Sequence, residues 1–376
     1  MFAPKYRITG KVAKALMSIE ADRQVVATLP LTAPMLDSLR RTARLLSTHF
    51  STQIEGNKLS PSQVKAVVEG EGNFPGRERD EAEVRHYFAA LEHVERLGHK
   101  PAKLTESEVR AIHGLVMTGK AKPTPYRDGQ NVIRDSRMGQ TVYMPPEAKD
   151  VPTLMKELVR WVNESIAEGE LPVPVITALA HYQFATVHPY FDGNGRTARL
   201  LSNLLLHRNG YGLNGIYSLE EYYASKLDGY YAGLAVGNSH NYYFGRVEGE
   251  VTPFIAYFCL GMADAFAKVR MRAEEASQRN DLDQTPVLRE LTPQQRQALG
   301  LFLRMKEVTR NDMAAFFKLP TRQAYLLCTR WLRDEFIVVE NPSTKGRSYR
   351  LAEQYEGLVA QKAGRTMPKT KPKRRM

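Results

Sequence analysis

The 376-residue chain has little cysteine and tryptophan and no long apolar run. Its two cysteines, Cys259 and Cys328, lie far apart in apolar, helix-like stretches, which favours two buried thiols in a reducing compartment over a disulfide. The N-terminus lacks the apolar core of a signal peptide, and no apolar run reaches the roughly 18 residues of a membrane span. These absences exclude a disulfide-stapled secreted scaffold and predict a cytoplasmic protein without a membrane partner.

Acidic residues are outnumbered by basic ones, 41 to 53, and the formal net charge is +12. Seven of the basic residues fall in the last 15 positions, KAGRTMPKTKPKRRM, so the rest of the chain is only mildly basic. Residues 360–376 are predicted to form a basic disordered tail. This tail could be a solvated end without a partner or an arm that binds nucleic acid.

Apolar residues recur at helical spacing along most of the chain, which predicts a mainly α fold. One such series marks a helix at about residues 33–56 that stops at Gly56-Asn57. A polar break, SQRNDLDQTP, begins at Ser277 and separates two compositions. We therefore predict an N-terminal helical region at 1–103, a central helical core at 104–278, and a smaller domain at 290–352.

Two segments depart from the helical pattern. Residues 123–146, PTPYRDGQNVIRDSRMGQTVYMPP, combine glycine punctuation with short β-prone runs, which predicts a β-hairpin flap. In the smaller domain, three short predicted helices (Thr292–Met305, Arg310–Phe317 and Thr321–Asp334) precede IVVENPSTKGRSYRL, which reads as two strands around a turn. Three helices followed by such a hairpin are the outline of a winged helix-turn-helix.

The stretch HPYFDGNGRTARLL, from His188 to Leu201, places charged and polar residues ahead of an apolar helix. Glycines at 193 and 195 would let the backbone approach an anion closely at the helix N-terminus, where N–H groups are unpaired. Arg196 and Arg199 share one helix face, and their guanidinium groups match phosphate oxygens.

Two further residues of this stretch suit the chemistry of a bound polyphosphate. Asp192 is a hard oxygen ligand of the kind that Mg²⁺ takes beside phosphates. His188, followed by Pro189, has an ordinary pKa near neutrality and suits removal of a proton from an attacking hydroxyl. The set predicts attack on a Mg²⁺-bound polyphosphate, and neither the protein-kinase nor the P-loop fingerprint is present. Taken singly, each piece is also ordinary turn chemistry of a surface loop.

HPYFDGNGRTAR resembles the Fic-family motif, His-Pro-Phe-x-Asp/Glu-Gly-Asn-Gly-Arg-x-x-Arg, with Tyr190 where phenylalanine is usual. The likeness covers roughly residues 30 to 265, and a C-terminal winged helix recurs in many bacterial members. The resemblance implies a Fic-type helical core with the flap. It also implies transfer of AMP from ATP to a Ser, Thr or Tyr hydroxyl of a protein, with this protein itself among the candidate targets.

The resemblance assigns roles residue by residue. His188 would be the catalytic base, Asp192 would hold Mg²⁺ (or Mn²⁺), and Arg199 would grip the γ-phosphate. The flap would hold the nucleotide and also pair with the target segment as a short strand. The ATP site so implied consists of Asp192, Gly193, Asn194, Gly195, Arg196, Arg199, the flap residues Gln140, Thr141, Val142 and Tyr143, and the adenine-lining Tyr230, Tyr231 and Asn238.

Glu55 ends the helix that stops at Gly56, where the helix dipole disfavours a carboxylate by a few tenths to about 1 kcal/mol. An arginine is the natural compensation, although an exposed glutamate tolerates a cost of this size. The stretch Ser51 to Gly56 resembles the Fic inhibitory motif Ser/Thr-x-x-x-Glu-Gly/Asn. This resemblance implies that Glu55 pairs with Arg199 and blocks productive binding of the γ-phosphate.

Alternatives remain open at this point. The leading prediction is an autoinhibited protein adenylyltransferase, and a second is removal of AMP from modified protein, with Glu55 positioning a water. A third is a DNA-binding regulator in which the winged helix contacts DNA, or another protein, and the core acts as a sensor. A homodimer is equally open.

Overall fold

The structure is a computed structural model that describes residues 2–134, 141–278, 285–343 and 346–359. The predicted tail at 360–376 lies outside these ranges, as does Gln140 of the predicted flap. The chain divides into two units, one formed by Met1–Leu29 and Leu39–Glu274, the other by Pro30–Ser38 and Glu275–Met376. In the described ranges, no helix is both long and apolar enough to cross a membrane.

The first unit is built mainly from helices, and the predicted mainly α class is confirmed. They are, in chain order, α1 (Gly10–Thr28), α2 (Ala33–Ile54), α3 (Pro61–Val68), α4 (Glu78–Gly98), α5 (Glu106–Thr118), α6 (Val151–Glu168), α7 (Val173–Val187), α8 (Asn194–Arg208), α9 (Glu220–Ser225), α10 (Leu227–Leu234) and α11 (Thr252–Gln278). Both α2 and α11 extend past the boundaries of this unit.

Local sequence signals set several helix ends. Ser60 with Gln63 and Thr105 with Glu108 form capping boxes at the starts of α3 and α5. At the other end of α5, Gly119 adopts a φ of 70°, the left-handed conformation that glycine reaches without strain. These caps fix where α5 begins and ends beside the core.

The core of this unit centres on α7 and α8, which are buried along nearly their whole length. Fully buried Val187 and Leu204 belong to a cluster that also includes side chains of α4, α5 and α6. Helices that are apolar on all sides belong in the interior of a domain. The short connection between α7 and α8 is therefore held by two rigid helices, and it contains the conspicuous motif.

The predicted flap is a two-stranded antiparallel pair, β1 (Ile133–Arg134) and β2 (Thr141–Tyr143). Ile133 pairs with Tyr143, and Arg134 pairs with Thr141. Immediately after β2, the Met144 N–H donates to the His240 carbonyl, and the Met144 carbonyl accepts from Tyr242 N–H. The end of the flap is thereby fastened to the segment that precedes α11.

The second unit contains α12 (Thr285–Glu290), α13 (Pro293–Phe302), α14 (Arg310–Phe317), α15 (Thr321–Arg333) and α16 (Glu353–Glu356). Its antiparallel sheet has the order β3 (Val308–Thr309), β5 (Ser348–Leu351), β4 (Ile337–Asn341). Buried Trp331 and Phe336 pack edge to face in its core. The helices predicted for α13 to α15 and the hairpin β4–β5 are present, while β3 was not predicted.

The sequence pattern also missed helices. Helix α1 buries Val12, Ala15, Ile19, Asp22 and Val26, a face too small and too polar to stand out as an apolar stripe. The short helix α12 and the π-helical segment Tyr242–Arg246 were not predicted either. Elements of this length carry too few residues for a periodic signal.

Candidate active site

The connection from α7 to α8 begins with His188 in a left-handed conformation, with φ of 51° and ψ of 60°. Its backbone N–H donates to the Phe184 carbonyl and so caps α7. Its Nδ1 lies 3.3 Å from the Ala185 carbonyl oxygen. Because a carbonyl only accepts, Nδ1 carries the proton in this contact, which leaves the lone pair of Nε2 available as a base. Burial lowers the pKa of His188 to about 4, so the ring is neutral at pH 7.

Arg127 holds the backbone of this loop. Its Nε donates to the His188 carbonyl at 3.0 Å, and its Nη1 donates to the Gly129 carbonyl at 2.9 Å. Its Nη2 donates to the Pro146 carbonyl, beyond the far end of the flap. Arg127 is 4% exposed, and burial lowers the pKa of its guanidinium. One buried side chain thus joins the base of the flap to the predicted catalytic histidine.

The middle of the loop is fixed by side chains that have no freedom to serve a ligand. Asn194 accepts from Tyr190 N–H through Oδ1 and donates to the Tyr190 carbonyl through Nδ2. The ring of Tyr190 stacks on His113, with centroids 3.5 Å apart, and His113 Nε2 lies 2.9 Å from the Asp192 carbonyl oxygen. The predicted anion-binding role of Asn194 therefore rests on its backbone N–H.

Gly193 could not be another residue without displacement of its neighbours. Its φ is 77°, and a Cβ built on it would lie 2.8 Å from Met117 Sδ. Helix α8 begins at Asn194, so Asn194 and Gly195 belong to its first turn. The N–H groups of this turn carry the positive end of the helix dipole.

Two carboxylates bracket Arg196 at the start of α8. Its Nη2 lies 3.1 Å from Asp192 Oδ1, and its Nη1 lies 2.6 Å from Glu83 Oε1 of α4. Asp192 Oδ1 also accepts from Gly193 N–H at 2.6 Å. The Arg196 side chain is 7% exposed and that of Asp192 is 54% exposed. Burial raises the pKa of Glu83, and the charge of Arg196 opposes that shift.

Arg199 lies one turn further along α8 and is held by the end of α2. Its Nη2 donates to Glu55 Oε1 at 2.8 Å and to the Ser51 carbonyl at 2.9 Å, and its Nε donates to Ser51 Oγ at 2.8 Å. The Arg199 side chain is 1% exposed. Burial acts to lower the pKa of Arg199, but the Glu55 carboxylate and the nearby Tyr87 and Tyr230 together outweigh it, so the net pKa is raised.

Glu55 follows α2 directly and also touches the start of α8. A Cβ built on Gly195 would lie 2.5 Å from Glu55 Oε1, so the carboxylate packs on the bare backbone of that glycine. The α2 dipole disfavours a carboxylate at this position, whereas the N-terminus of α8 and Arg199 favour it. Arg199 thus provides the compensation that the position of Glu55 favours.

The flap residues differ in how accessible they are. Thr141 is exposed and Val142 is 39% exposed. Tyr143 is instead buried, donating from its hydroxyl to the Thr186 carbonyl at 2.5 Å, with Arg246 stacked over its ring. Its side chain therefore anchors the flap on α7, and the prediction that it contacts the nucleotide does not fit this position.

The three predicted adenine-lining residues also differ in their exposure to solvent. Tyr230 is 4% exposed, and its hydroxyl lies 3.0 Å from His181 Nε2 inside an aromatic cluster. A nucleotide could not reach it without opening that cluster. Tyr231 is 54% exposed, packs edge to face on Tyr230, and lies near enough to Glu55 to feel its charge. Asn238 is exposed in a bend after α10.

The predicted metal role of Asp192 was compared with the donors around it. Within the described ranges, no three His, Cys, Asp or Glu side chains cluster closely enough to hold a metal ion by themselves. Mg²⁺ commonly takes one or two carboxylates and completes its octahedron with substrate phosphates and water. A half-exposed carboxylate beside a helix N-terminus and Arg196 fits that mode of binding.

Sequence reasoning missed Glu83, His113 and Arg127, and it gave Ser51 no role of its own. These three residues are distant from the motif in sequence and contact it only in the folded structure: Glu83 from α4, His113 from α5, and Arg127 from the segment before the flap. No local pattern marks them. Ser51 did carry a signal, because it opens the stretch that resembles the inhibitory motif.

Comparison with known proteins places this geometry in context. Residues 103–206 match the Fic/DOC family. A protein adenylyltransferase Fic from Drosophila ananassae is 26% identical over 245 residues, which are 65% of this chain and 45% of the relative. The protein adenylyltransferase fic-1 of Caenorhabditis elegans is 31% identical over 230 residues, 58% of this chain and 40% of the relative. The chain spans less than half the length of these curated relatives.

Solved structures are similar over more of the chain. A crystal structure of a Fic family protein from Desulfovibrio desulfuricans G20 has 25% identity and a TM-score of 0.59, covering 94% of this chain and 99% of its own. Fic-1 from C. elegans has 25% identity and a TM-score of 0.54, covering 69% of this chain and 71% of its own.

Proposed function

Because the chain carries a Fic domain at residues 103–206, we propose that it is a protein adenylyltransferase restrained in cis by Glu55. It would transfer AMP from ATP to a Ser, Thr or Tyr hydroxyl of a target protein, itself included among the candidates. One observation carries the proposal. A histidine that is neutral at pH 7 lies six residues before the start of α8, and Arg199 of that helix is already bound to a carboxylate.

The reaction uses the loop as a positioning device. The target hydroxyl gives its proton to His188 Nε2, and its oxygen attacks the α-phosphorus of ATP. The bond from the α-phosphorus to the oxygen that bridges to the β-phosphorus breaks, and pyrophosphate leaves. The N–H groups at the start of α8 and the guanidinium of Arg196 stabilise the charge on the phosphate oxygens.

Asp192 would hold Mg²⁺ between itself and the triphosphate. The ion, when bound, neutralises phosphate charge that would otherwise repel the attacking oxygen. Thr141 and Val142 would contact the nucleotide and the target segment, and Tyr231 and Asn238 would line the adenine. Cytoplasmic placement stays a prediction.

The restraint is a competition for one guanidinium. Arg199 donates to Glu55 at 2.8 Å and cannot give the same donor to the γ-phosphate at the same time. The Glu55 carboxylate also packs on Gly195, where the triphosphate would need the backbone. Displacement of Glu55 would therefore free both the arginine and the N-terminus of α8.

A second activity of the same site is removal of AMP from modified protein. Glu55 is 29% exposed, which gives its carboxylate room to orient a water. In that reaction water replaces the hydroxyl as nucleophile, and the modified protein is the substrate. Adenylylated protein incubated without ATP separates the two activities, since only the hydrolytic enzyme releases AMP.

The second unit is proposed to bind DNA through α15. The exposed face of this helix carries Arg322, Arg330 and Arg333 and no acidic residue. Tyr325 and Leu326 are also exposed there, at 49% and 56%, so a protein partner is the competing outcome. A duplex probe whose binding weakens steeply with salt would indicate DNA, because phosphate contacts release counterions. Salt-independent capture of a protein would contradict it.

The proposed chemistry is tested with ATP labelled either at the α- or at the γ-phosphate. Glu55→Gly is incubated with cell lysate and Mg²⁺, and the protein-bound label in excess of that in lysate alone is counted. Adenylyl transfer predicts incorporation of the α-label alone. Incorporation of the γ-label would identify a phosphoryl transferase and overturn the proposal.

A further inference from the structure

Glu83 lies outside the motif yet makes the closest contact to it. The carboxylate, which projects from α4, is 2.6 Å from Arg196 Nη1, and its side chain is 17% exposed. An ion pair so short and so well shielded from water is stronger than a surface pair. The α4 helix itself packs in the core, so the carboxylate is presented from a rigid element.

The other oxygen of Glu83 is also occupied. Glu83 Oε2 accepts from Asn57 Nδ2 at 2.9 Å, and the same Asn57 nitrogen donates to the Asp80 carbonyl at 3.0 Å. Asn57 is 6% exposed and accepts from Leu59 N–H, so it cannot turn freely. Both oxygens of Glu83 are therefore fixed by neighbours that are themselves held.

Arg196 contacts both Glu83 and Asp192, so the position of Glu83 constrains the guanidinium that holds Asp192. Its Nη1 is bound to Glu83 and its Nη2 to Asp192 Oδ1, while its buried Nε has no partner in the part of the chain that is described. The two carboxylates thus set the plane of the guanidinium. Asp192 itself is half exposed, and its Oδ1 is held by Arg196 Nη2 and by Gly193 N–H, so displacement of Arg196 would remove one of these two contacts.

We propose that Glu83 is a positioning residue that acts through Arg196 to orient the Asp192 carboxylate toward a divalent cation bound with the nucleotide. The inference rests on the proposed function for the identity of the nucleotide. Partners that orient a metal-binding carboxylate typically change metal affinity by about 10- to 100-fold when removed. Glu83 would accordingly set the metal requirement of the enzyme.

The test compares Glu83→Gln with Glu81→Gln, both in the full-length Glu55→Gly protein. Glu81 is a matched control because it lies on the same helix and pairs with Arg85 at 3.0 Å, with no contact to the motif. Free Mn²⁺ is followed by electron paramagnetic resonance in the presence of a non-hydrolysable ATP analogue. The Mg²⁺ concentration for half-maximal AMP transfer is measured in parallel.

Glu83→Gln is expected to raise the Mn²⁺ dissociation constant and the Mg²⁺ concentration for half-maximal transfer about ten-fold or more each. Glu81→Gln is expected to leave both values unchanged. Unchanged metal dependence in Glu83→Gln would overturn the inference, as would faster transfer, which would make Glu83 a second restraint. If Glu83→Gln melts much earlier than its parent, Glu83→Asp replaces it, and the shorter carboxylate should give an intermediate shift. If Glu83→Gln binds Mn²⁺ more weakly but the Glu55→Gly parent transfers no AMP, the proposed function is refuted and the positioning role of Glu83 stands.

Discussion

Replacement of Glu55 is the perturbation whose outcome the site geometry specifies most fully. In the wild-type protein, Arg199 is 1% exposed and donates to Glu55 at 2.8 Å. Glycine at position 55 removes the carboxylate, while Ser51 still holds Arg199 through two hydrogen bonds. The guanidinium therefore stays near its present position and becomes available to the γ-phosphate.

The size of the effect follows from the bond that ATP has to replace. A hydrogen bond between charged groups contributes about 1.5–3 kcal/mol, which corresponds to about 10- to 150-fold in rate. We expect Glu55→Gly to raise kcat/KM for AMP transfer within that range. Glu55→Gln keeps a neutral hydrogen bond of about 0.5–1.5 kcal/mol and should give a smaller gain. The expected order of activity is Gly above Gln above wild type.

Stability should change in the opposite direction. Arg199 loses its carboxylate inside the protein, and an uncompensated buried charge destabilises the fold. The melting temperature of ligand-free Glu55→Gly should lie below that of wild type. ATP with Mg²⁺ should narrow the gap, because a ligand that binds only the folded state stabilises it by mass action.

The assay is auto-modification with α-labelled ATP, measured for the two variants and wild type at equal protein concentration. Addition of Arg199→Ala to Glu55→Gly should cancel the gain, since the freed guanidinium is its source. If both substitutions leave transfer unchanged or lower, while His188 and Arg196 prove essential, Glu55 is not an inhibitor. The hydrolytic activity would then be the better description of the site.

Three further predictions concern the rest of the site. His188→Ala should abolish transfer but retain ATP binding by calorimetry, because the ring acts on the incoming hydroxyl; residual transfer would remove it from the mechanism. Its ring should titrate by NMR with a pKa of about 4, neutral above and protonated below, and a midpoint near 6.5 would refute its burial. Asp192→Asn should raise the Mg²⁺ requirement by about ten-fold or more, and full transfer in excess chelator would contradict a metal role.

The features that were predictable from sequence are those with a local signal. The capping boxes at Ser60 and Thr105 lie within single turns, and α7 is a long, strongly apolar segment. Cys259 and Cys328 are both buried, as their apolar surroundings in the sequence indicated. Patterns of this kind depend on neighbouring residues alone, so they can be recognised without knowledge of the tertiary structure.

The features that were not predictable depend on residues far apart in the chain. Glu55 and Arg199 are separated by 144 positions, and only the resemblance to a known motif joined them before the structure did. Tyr143 and Tyr230 were assigned to the ATP site by the resemblance alone, and the structure shows each hydroxyl bonded inside the core. No sequence pattern marked Glu83, because its contact with Arg196 arises only when α4 packs beside α8.

The central claim is that this site moves an adenylyl group onto a protein hydroxyl, and intact-mass spectrometry tests it most directly. Glu55→Gly is incubated with Mg²⁺ and ATP, alone and with lysate, beside a control that also carries His188→Ala. The account predicts a mass gain of one AMP per modified hydroxyl in the first protein or its target, and none in the control. No gain in either sample, or an equal gain with His188→Ala, would contradict it.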